Sequence, residues 1–441
     1  MTFNLSAHRL IKMSKTVSKL IADDLAVNWH PFMQMKDFET YPPKLITHAE
    51  GLKLYAEDTW YYDTISSWWC NILGHRHPEI TKAFNDQLET LDHIMFGNFT
   101  HQPAIDLSKR LVNITPKGLN RVYYSDNGST AIEVALKMSL HYWLNKNQAK
   151  KNKIAFFSGS YHGDTIGAMS VSGVSQYNQV FRPLMFEGIG IPDPSLNESE
   201  ALETLENTLK QQSNEIAAVI IEPLLMGAGG MKITSANLLK KVRELTHQYD
   251  VHLISDEVAS GFGRTGHLFA SDAAHIAADF MCLSKALTNG QFPLAVTMTT
   301  DDIYNAFYGD FEDGKTFYHG HTFTANPLGC AVANATLKVL ADWDWKTNVE
   351  MIHKTLTAGF IKIQNKWDVV SNLRAIGSVA AIDIHLEGKR ALFKLAQKGF
   401  HHHLIVRPLG NSIYVYLPLI TSEAECHDIL ANIEYLLSQE L

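Results

Sequence analysis

The middle of the chain alternates short apolar runs with longer amphipathic stretches. The apolar runs contain few polar positions, which is typical of strands that are buried on both faces. They lie at 121–126, 153–159, 217–223, 251–258, 280–286 and 294–300. The stretches at 129–147 and 236–249 have the apolar period of about 3.6 residues that helices show. Strands that alternate with helices in this way predict an α/β fold with a mostly parallel central sheet.

The pattern changes after Asn326. Helical patterns then flank two apolar strands, and these elements lie at 328–343, 346–365, 379–385, 390–402, 412–418 and 423–439. Such a mixture predicts a smaller α+β domain. The extended, proline-marked segment 29–65 is expected to join this smaller domain rather than the central sheet. We therefore predict three parts: an N-terminal segment 1–75, a large domain 76–327 and a C-terminal small domain 328–441.

Composition narrows the possible classes of function. The chain has 441 residues, of which 46% are hydrophobic and 19% charged, which favours a large core over disorder. The formal net charge of -8 gives no electrostatic footprint for nucleic acid or an anionic membrane. No apolar run approaches the roughly 18 residues of a membrane helix. The four cysteines lack C-x-x-C spacing, so we expect buried thiols in a reducing compartment and a cytoplasmic protein.

The N-terminal residues 1–22 have four basic side chains and no acidic residue before Asp23. Mitochondrial transit peptides share this charge pattern, whereas the apolar region of a secretory signal is missing. We favour an ordinary solvated N-terminal helix as the explanation, or an early start codon with Met13 as the alternative start.

Two ionisable residues follow neighbouring strands of the predicted sheet. Asp256 lies at the end of the run 251–258, and Lys285 lies at the end of the run 280–286. In a parallel sheet both side chains emerge at the carboxyl edge, where α/β enzymes bind ligands. A buried aspartate that pairs with a protonated ring nitrogen and a lysine that forms a Schiff base are what pyridoxal phosphate chemistry requires. An ordinary strand-end acid and a surface lysine are the alternative for this pair taken alone.

The sequence S-D-N-G-S-T at 125–130 follows a strand and opens a helix. Backbone N–H groups at a helix N-terminus, with Gly128 permitting close approach and Ser129 adding a donor, can bind a phosphate. A simple serine N-cap is the alternative. Tyr161 also follows a strand end, where an aromatic ring can stack on a flat cofactor, although packing alone also explains it.

The sequence G-F-G-R-T-G at 261–266 matches a dinucleotide-binding pattern. That pattern belongs in the first βα unit, with an acidic residue about 20 positions further on. Here it lies deep in the chain, and Lys285 stands near that distance. We therefore predict an ordinary glycine-rich loop.

Histidine pairs and runs raise the question of a metal site. They lie at 75 and 77, 319 and 321, and 401–403. None has the i, i+4 helical spacing with a neighbouring glutamate that zinc enzymes use, and satisfied polar histidines explain them better. We predict no metal site.

The motifs taken together resemble one known family. They are S-D-N-G-S-T (125–130), Y-H-G-D-T (161–165), I-I-E-P (220–223), D-E-V-x-x-G-F-G-R-T-G (256–266), L-S-K-A-L (283–287) and G-H-T-F-T-x-N-P (320–327). In order and spacing this set is similar to the class III aminotransferases, which have fold type I and use pyridoxal 5'-phosphate. The motifs at 30–35, 66–69, 95–101 and 406–414 resemble the biotin-pathway members of the class. For these members the acceptor is 8-amino-7-oxononanoate, and the usual donor is S-adenosylmethionine.

The resemblance implies roles for the cofactor residues. Lys285 would form the Schiff base and move the proton, Asp256 would bind the pyridine nitrogen, and Tyr161 would stack on the ring. The remaining cofactor-binding positions implied are Gly128, Ser129, Val258, His321 and Thr322. Thr322 would reach the phosphate from the partner subunit, which implies an obligatory homodimer.

The substrate residues are also implied by the resemblance. Trp68, Trp69 and Tyr161 would line a slot for the apolar chain of the oxononanoate. Arg407 would hold a carboxylate, a task that suits its planar fork. The other implied positions are Phe32 and Gly320.

Two positions depart from the family pattern, which usually has tyrosine at Phe32 and glutamine at Met226. Some members use lysine as donor, and Phe32 raises that alternative here. The tryptophan pair still favours S-adenosylmethionine. Two further alternatives are an ornithine- or 4-aminobutyrate-type aminotransferase of the same class and a catalytically inactive binding protein. The intact Lys285 and Asp256 argue against the latter.

Overall fold

The computed structural model describes residues 15–388 and 390–441. The first helix of this part is largely exposed, which agrees with the predicted solvated helix for residues 15–22, and residues 1–14 lie outside the described part. A small antiparallel sheet and a short turn follow the first helix. These N-terminal elements are α1 (Lys15–Val27), β1 (His48–Glu50), β2 (Lys53–Tyr55), β3 (Trp60–Tyr62) and α2 (Ser66–Trp69).

A seven-stranded sheet forms the centre of the molecule, in the order β4-β12-β11-β10-β7-β5-β6. Its strands and the elements between them are α3 (Pro78–Leu88), α4 (Gln102–Ile114), β4 (Leu119–Ser125), α5 (Gly128–Asn145), β5 (Lys153–Phe157), α6 (Ile166–Ser170), α7 (Ser175–Asn178), β6 (Ile189–Ile191), α8 (Glu198–Gln212), β7 (Ile216–Ile221), β8 (Leu225–Met226), β9 (Lys232–Ile233), α9 (Ala236–Gln248), β10 (His252–Asp256), β11 (Phe280–Leu283), β12 (Ala295–Thr300) and α10 (Asp301–Phe307). The central strands are almost wholly buried, because helices cover both faces of the sheet.

One strand of the sheet runs against the others. β12 is antiparallel to both β11 and β4, whereas β5, β6, β7, β10 and β11 pair in parallel. The connection from β11 to β12 contains only a 3-10 turn at Lys285–Thr288, which is too short to carry the chain back across the sheet. The predicted α/β class with a mostly parallel sheet is confirmed.

The C-terminal elements begin with α11 (Pro327–Ala341). A second core unites the elements after it, which are α12 (Trp345–Lys366), β13 (Val370–Ile376), β14 (Val379–Ile384), α13 (Ala391–Gly399), β15 (Ser412–Tyr416) and α14 (Glu423–Glu440). Apolar side chains from α12, α14 and the β13-β14-β15 sheet pack together, and Leu52 and Tyr62 of the N-terminal sheet lie in the same core.

The helix α11 begins at the predicted division 327/328. Its buried residues, among them Cys330 and Leu337, pack with Ile80 of α3 and Leu107 of α4 in the core of the large domain. The helix thus buries its apolar face against the larger unit. The domain limits at 75/76 and 327/328 stay a prediction.

The glycine-rich loop 261–266 connects the two cores and opens no helix. Gly263 has φ +95°, and a Cβ there would lie 2.7 Å from Leu419 Cδ1. The neighbouring Arg264 is fully buried, donates to the Leu417 carbonyl, and donates to the Asn71 carbonyl at 2.5 Å. The loop therefore ties the small domain to the N-terminal segment. Among the residues described, no helix is both long and apolar enough to cross a membrane.

Candidate active site

Five strands of the central sheet end around one cavity of about 560 Å³. The residues that follow β4, β5, β7, β10 and β11 all contribute to its lining, as expected at the carboxyl edge of such a sheet. Representative lining residues from these five ends are Ser129, Tyr161, Glu222, Asp256 and Lys285. The fold thus brings together the residues that the sequence predicts for cofactor chemistry.

Lys285 reaches the cavity from a strained backbone. Its φ is +45°, a left-handed value that residues with a Cβ rarely adopt. The ammonium nitrogen lies over the indole of Trp69, 4.5 Å from the ring centroid. Burial lowers the pKa of Lys285, while the charges of Cys70, Asp256 and Glu222 oppose this shift. The lower pKa increases the fraction of neutral amine, which is the form that attacks a carbonyl or accepts a proton.

Asp256 is held on both of its carboxylate oxygens. Oδ1 accepts the backbone N–H of Val258 at 3.0 Å, and Oδ2 lies 2.7 Å from Nδ1 of His162. The His162 side chain is fully buried and its Nε2 has no hydrogen-bond partner in the described part of the chain. His162 therefore fixes the carboxylate, and both residues line the cavity.

The helix α5 offers its N-terminus to the same cavity. The Asn127 side chain accepts the N–H of Thr130 at 3.1 Å, so this end of the helix is capped. The N–H groups of Gly128 and Ser129 are among those without a partner inside a helix. Any Cβ at Gly128 would lie 2.6 Å from a methyl of Val258, so glycine is needed for this close approach. The result is a rigid donor-lined recess beside an apolar floor.

Tyr161 lies on the opposite wall and is fixed through its backbone. Its N–H donates to Glu222 Oε2 at 2.8 Å, while Gly227 N–H donates to Oε1 at 3.0 Å. Burial raises the pKa of Glu222 to about 7, and it raises the pKa of Tyr161, whose hydroxyl binds Asp164. These contacts hold the ring of Tyr161 at the cavity.

A row of aromatic rings adjoins the cavity and ends at an arginine, and we call this row the aromatic slot. Phe32 packs edge-on against Trp68 and Tyr177, with ring centroids 5.5 and 5.9 Å apart, and Tyr177 packs against Tyr161 at 5.9 Å. The guanidinium of Arg407 lies over the Trp68 ring, 4.2 Å from its centroid. Within residues 15–388 and 390–441, Arg407 forms no ion pair with an acidic side chain. Arg407 can therefore bind a carboxylate from outside.

The two adjacent tryptophans have different surroundings. Trp68 is 37% exposed and contributes to the slot, whereas Trp69 is 4% exposed and lines the cavity. Trp69 stacks on Tyr416 at 5.7 Å and donates through Nε1 to the Tyr414 hydroxyl at 3.1 Å. One indole thus faces Lys285 while the other faces Arg407.

A directed chain of hydrogen bonds includes the histidines at 319 and 321. Lys137 has only donors, so its Nζ donates to His319 Nδ1 at 2.8 Å. The proton of His319 then lies on Nε2, which donates to His321 Nε2 at 3.0 Å, and His321 Nδ1 donates to Asp126 Oδ2 at 2.6 Å. Burial lowers the pKa of His319, and the charges of Lys137 and His321 add to this. His321 thus approaches the cavity only through Asp126, and the pair is explained without a metal.

Two predicted residues lie away from this cavity. Gly320 and Thr322 are both exposed and neither lines the cavity of its own chain. Their roles in binding cofactor and substrate stay a prediction.

Three residues that the prediction of site residues omitted also lie at the site. His162 and Glu222 lie inside the motifs at 161–165 and 220–223, so the motif positions were the available signal. Tyr177 belongs to no motif, and only its contact with Phe32 and Tyr161 identifies it.

The residues present fit pyridoxal phosphate. The recess at the N-terminus of α5 would take the phosphate, Lys285 would bond the aldehyde carbon, and Asp256 would face the ring nitrogen. Val258 and Tyr161 supply surfaces for the two faces of a flat ring. The close approach that only glycine permits at 128 agrees with such a ligand.

Comparison with known proteins agrees with this site. The family model for class III aminotransferases matches residues 36–437. The adenosylmethionine-8-amino-7-oxononanoate aminotransferases of Helicobacter pylori and Aquifex aeolicus are 40% and 38% identical to the chain, over 95% and 93% of it and 98% and 95% of their own lengths. A crystal structure of the enzyme of that name from Methanocaldococcus jannaschii has a TM-score of 0.92 and 34% identity, with coverage of 96% of this chain and 99% of that one. The chain therefore belongs to the class III aminotransferases and uses pyridoxal phosphate.

Proposed function

We propose that this aminotransferase converts 8-amino-7-oxononanoate to 7,8-diaminononanoate, with S-adenosylmethionine as amino donor, in biotin biosynthesis. One observation carries the choice of acceptor: an aromatic slot leads from the cavity at Lys285 to Arg407, which has no acidic partner among the described residues. Relatives whose names include this acceptor match the chain along almost its whole length. Short polar substrates such as ornithine need no such slot.

The residues at the cavity divide the chemistry among them. When bound, pyridoxal phosphate supplies an electron sink that stabilises a carbanion at the substrate carbon. Nζ of Lys285 gives and takes the proton at that carbon, and its lowered pKa favours the neutral amine needed to take it. Asp256, held by Val258 N–H and His162, keeps a carboxylate directed at a protonated ring nitrogen.

The slot selects the acceptor by its chain and by its far end. The methylene groups of the oxononanoate would lie against Phe32, Trp68 and Tyr177, and each buried CH₂ contributes about 0.8 kcal/mol. Arg407 would bind the terminal carboxylate and so set which end enters first.

The choice of donor depends on Phe32. The phenylalanine ring contacts Trp68 and Tyr177 but offers no hydroxyl for a polar donor. Lysine is the alternative donor for this reason, and the aromatic pair at 68–69 favours S-adenosylmethionine.

Half-reactions test this function directly. The absorbance of the cofactor should change from the aldehyde form to the amine form on addition of S-adenosylmethionine, and 8-amino-7-oxononanoate should reverse it. Parallel assays use lysine, ornithine and 4-aminobutyrate as donors. A response to lysine alone would correct the donor. Transfer from 4-aminobutyrate or ornithine without any response to the oxononanoate would overturn the proposed acceptor.

Replacement of Arg407 by alanine should raise the activation free energy of the reaction with the oxononanoate by about 2–4 kcal/mol, because a desolvated carboxylate loses its charged partner. Arg407→Lys should retain part of the activity, since it keeps the charge without the planar fork. Trp68→Ala should raise the activation free energy of the same reaction by about 2 kcal/mol, because an apolar contact with the substrate is lost. The measurement is kcat/KM for the oxononanoate, and an unchanged value for Arg407→Ala would remove the carboxylate from this position.

We also infer a homodimer with shared active sites. Exposed apolar side chains lie in the loop that holds Gly320 and Thr322 and in the segment 95–99, and His93 packs on Phe323 at 5.2 Å next to that segment. These side chains are Met95, Phe99, Tyr318 and Phe323, each more than half exposed. Apolar area of this kind marks an interaction surface. A second subunit would cover it and receive Thr322 at its phosphate recess.

Mixing two inactive variants tests the shared site. Lys285→Ala removes the amine, and Thr322→Asp places a negative charge at the proposed phosphate contact. After subunit exchange, about one active site in four should combine an intact Lys285 with an intact Thr322 from the partner. Activity of the mixture measures this recovery, with the separate variants as controls. A mixture without recovery would mean that Thr322 does not act across subunits.

A cytoplasmic location fits the cysteines. All four are free thiols, and Cys282, Cys330 and Cys426 are buried. Measurement of the enzyme in fractionated cells would test the location.

A further inference from the structure

Four consecutive residues that carry a Cβ have left-handed backbone angles at the edge of the active site. Ser66, Ser67, Trp68 and Trp69 have φ values of +50°, +45°, +69° and +73°. In this region the Cβ of an L-residue crowds the backbone carbonyl, so glycine and asparagine visit it singly and other residues rarely. A run of four such residues is therefore imposed by its surroundings, and strain of this kind concentrates at functional sites.

Asp63 is the main group that imposes the conformation. Its side chain is 1% exposed, and its two oxygens accept the Ser67 N–H at 2.8 Å and the Ser67 hydroxyl at 2.6 Å. Nε2 of His75 lies 2.8 Å from the second oxygen, within hydrogen-bond distance of the buried carboxylate. Ser66 adds a bond from its hydroxyl to the Tyr416 carbonyl at 2.5 Å. The turn is thus fixed from within the protein on two sides.

The left-handed turn determines where the two indoles point. Trp69 is directed into the protein, where its face lies under the Lys285 ammonium and its Nε1 binds Tyr414. Trp68 is directed outward, where its ring lies between Phe32 and the Arg407 guanidinium. A right-handed turn over the same residues would send both indoles in other directions, because the side-chain rotation per residue has the opposite hand.

We propose that Asp63, supported by His75, is a positioning residue for acceptor specificity: it holds the left-handed turn that places Trp68 in the slot and Trp69 under the Lys285 ammonium. The assignment rests on the proposed function for the identity of the acceptor. Its structural half, the imposed turn, is independent of any substrate. Asp63 itself lies behind the turn and contacts neither Trp68 in the slot nor Arg407.

The imposed backbone is tested first, without substrate. At an ordinary helical position alanine stabilises more than glycine, whereas at a left-handed position glycine is favoured. Both Ser67→Gly and Ser67→Ala remove the hydroxyl that binds Asp63, so their comparison isolates the backbone. We expect Ser67→Gly to melt at the higher temperature of the two. The reverse order would overturn the imposed left-handed turn.

The direction of the indoles is tested by near-ultraviolet circular dichroism. In Asp63→Asn an amide N–H₂ group replaces one carboxylate oxygen. The side chain then has a single acceptor oxygen and cannot accept hydrogen bonds from both Ser67 groups and from His75. The difference spectrum of this variant should resemble that of Trp68→Phe, since both remove the ordered outer indole. Asp58→Asn changes an exposed carboxylate of the same segment and is the matched control. Identical spectra for Asp63→Asn and the native protein would overturn the proposal.

The specificity is tested by kinetics of the holoenzyme. Asp63→Asn should lower kcat/KM for 8-amino-7-oxononanoate by about tenfold or more, mainly through KM, because the loss of one well-packed aromatic contact weakens binding to that extent. His75→Gln should show the same split more weakly, and the cofactor absorbance should be unchanged in both. A loss confined to kcat, or an equal loss in Asp58→Asn, would overturn the assignment. Failure of the native protein to accept the oxononanoate would instead contradict the proposed function. The melting and dichroism experiments use no substrate and would still show whether Asp63 holds the left-handed turn.

Discussion

Replacement of Lys285 by alanine should lower turnover by at least about 10⁴-fold, the upper end of what one general acid–base group contributes. The expected loss is this large because the same nitrogen bonds the cofactor and moves the proton. No other lysine lines the cavity in the described part of the chain, so no neighbour can replace it. The measurement is single-turnover kinetics with a saturating donor. The native protein should be yellow, with an absorbance that borohydride removes and a label that mass spectrometry finds on Lys285.

Two controls separate chemistry from folding in this experiment. The phosphate recess at α5 does not involve Lys285, so the alanine variant should still bind pyridoxal phosphate and melt near the native temperature. Small primary amines added to the solution should restore part of the rate, because they supply the missing proton carrier. Lys285→Arg should show neither Schiff-base chemistry nor rescue. Turnover near the native rate in Lys285→Ala would remove the proposed mechanism.

The fold was predictable where burial leaves a simple pattern. All six apolar runs of the central region form strands, and the two predicted C-terminal strands form as β14 and β15. Within the central sheet and the β13-β14-β15 sheet, two strands were not predicted from the sequence. β6 has three residues with Gly190 at its centre, and β13 reads V-S-N-L-R-A-I with most positions only partly buried. Edge strands of this kind lack the continuous apolar signal, because only one face or one neighbour constrains them.

The direction of β12 could not be predicted from the local sequence pattern either. Its residues Ala295–Thr299 are as buried as those of a parallel strand, so periodicity gives no information on direction. The length and content of the preceding connection decide it, and Lys285 itself lies in that connection. The strained φ of Lys285 and the reversal of the chain thus occur in one short segment.

The residues of the candidate site likewise divide into those that the sequence predicts and those that it does not. Asp256 and Lys285 are predictable because each follows a buried strand, and the geometry of parallel sheets then places them together. The contacts of His162 with Asp256 and of Tyr177 with Phe32 join segments far apart in the chain, and one sequence contains no signal for those distances. The turn at 66–69 is the extreme case, since neither serine nor tryptophan favours left-handed angles. Its conformation comes from the hydrogen bonds of Ser67 to Asp63 and of Ser66 to Tyr416, which override the backbone preference of the residues themselves.

Asp256→Asn should lower kcat, with a rise in the activation free energy of about 3–4 kcal/mol. This is the range found when one preorganised electrostatic partner is removed from an active site. The physical reason is the charge: an amide at this position no longer keeps a ring nitrogen protonated, and an unprotonated ring is a poor electron sink. The bond from Val258 N–H to the remaining oxygen can persist, so the fold and the cavity should be retained. The measurement is the rate of the donor half-reaction together with the pH dependence of the cofactor absorbance.

His162→Asn provides the graded comparison for Asp256. Its ring touches Asp256 Oδ2 at 2.7 Å and does not need to touch substrate, so it acts by orienting the carboxylate. We expect the activation free energy to rise by about 1–2 kcal/mol, which is typical of the loss of a hydrogen bond to a charged group. The pH profile of the rate should shift, and the cofactor should stay bound. A change in the pH profile separates this role from mere packing, which would alter the melting temperature alone. If His162→Asn were as damaging as Asp256→Asn, the histidine would have to take part in the chemistry itself. If Asp256→Asn kept the native rate, the ring nitrogen would not depend on this carboxylate, and the electron-sink argument would fail at its first step.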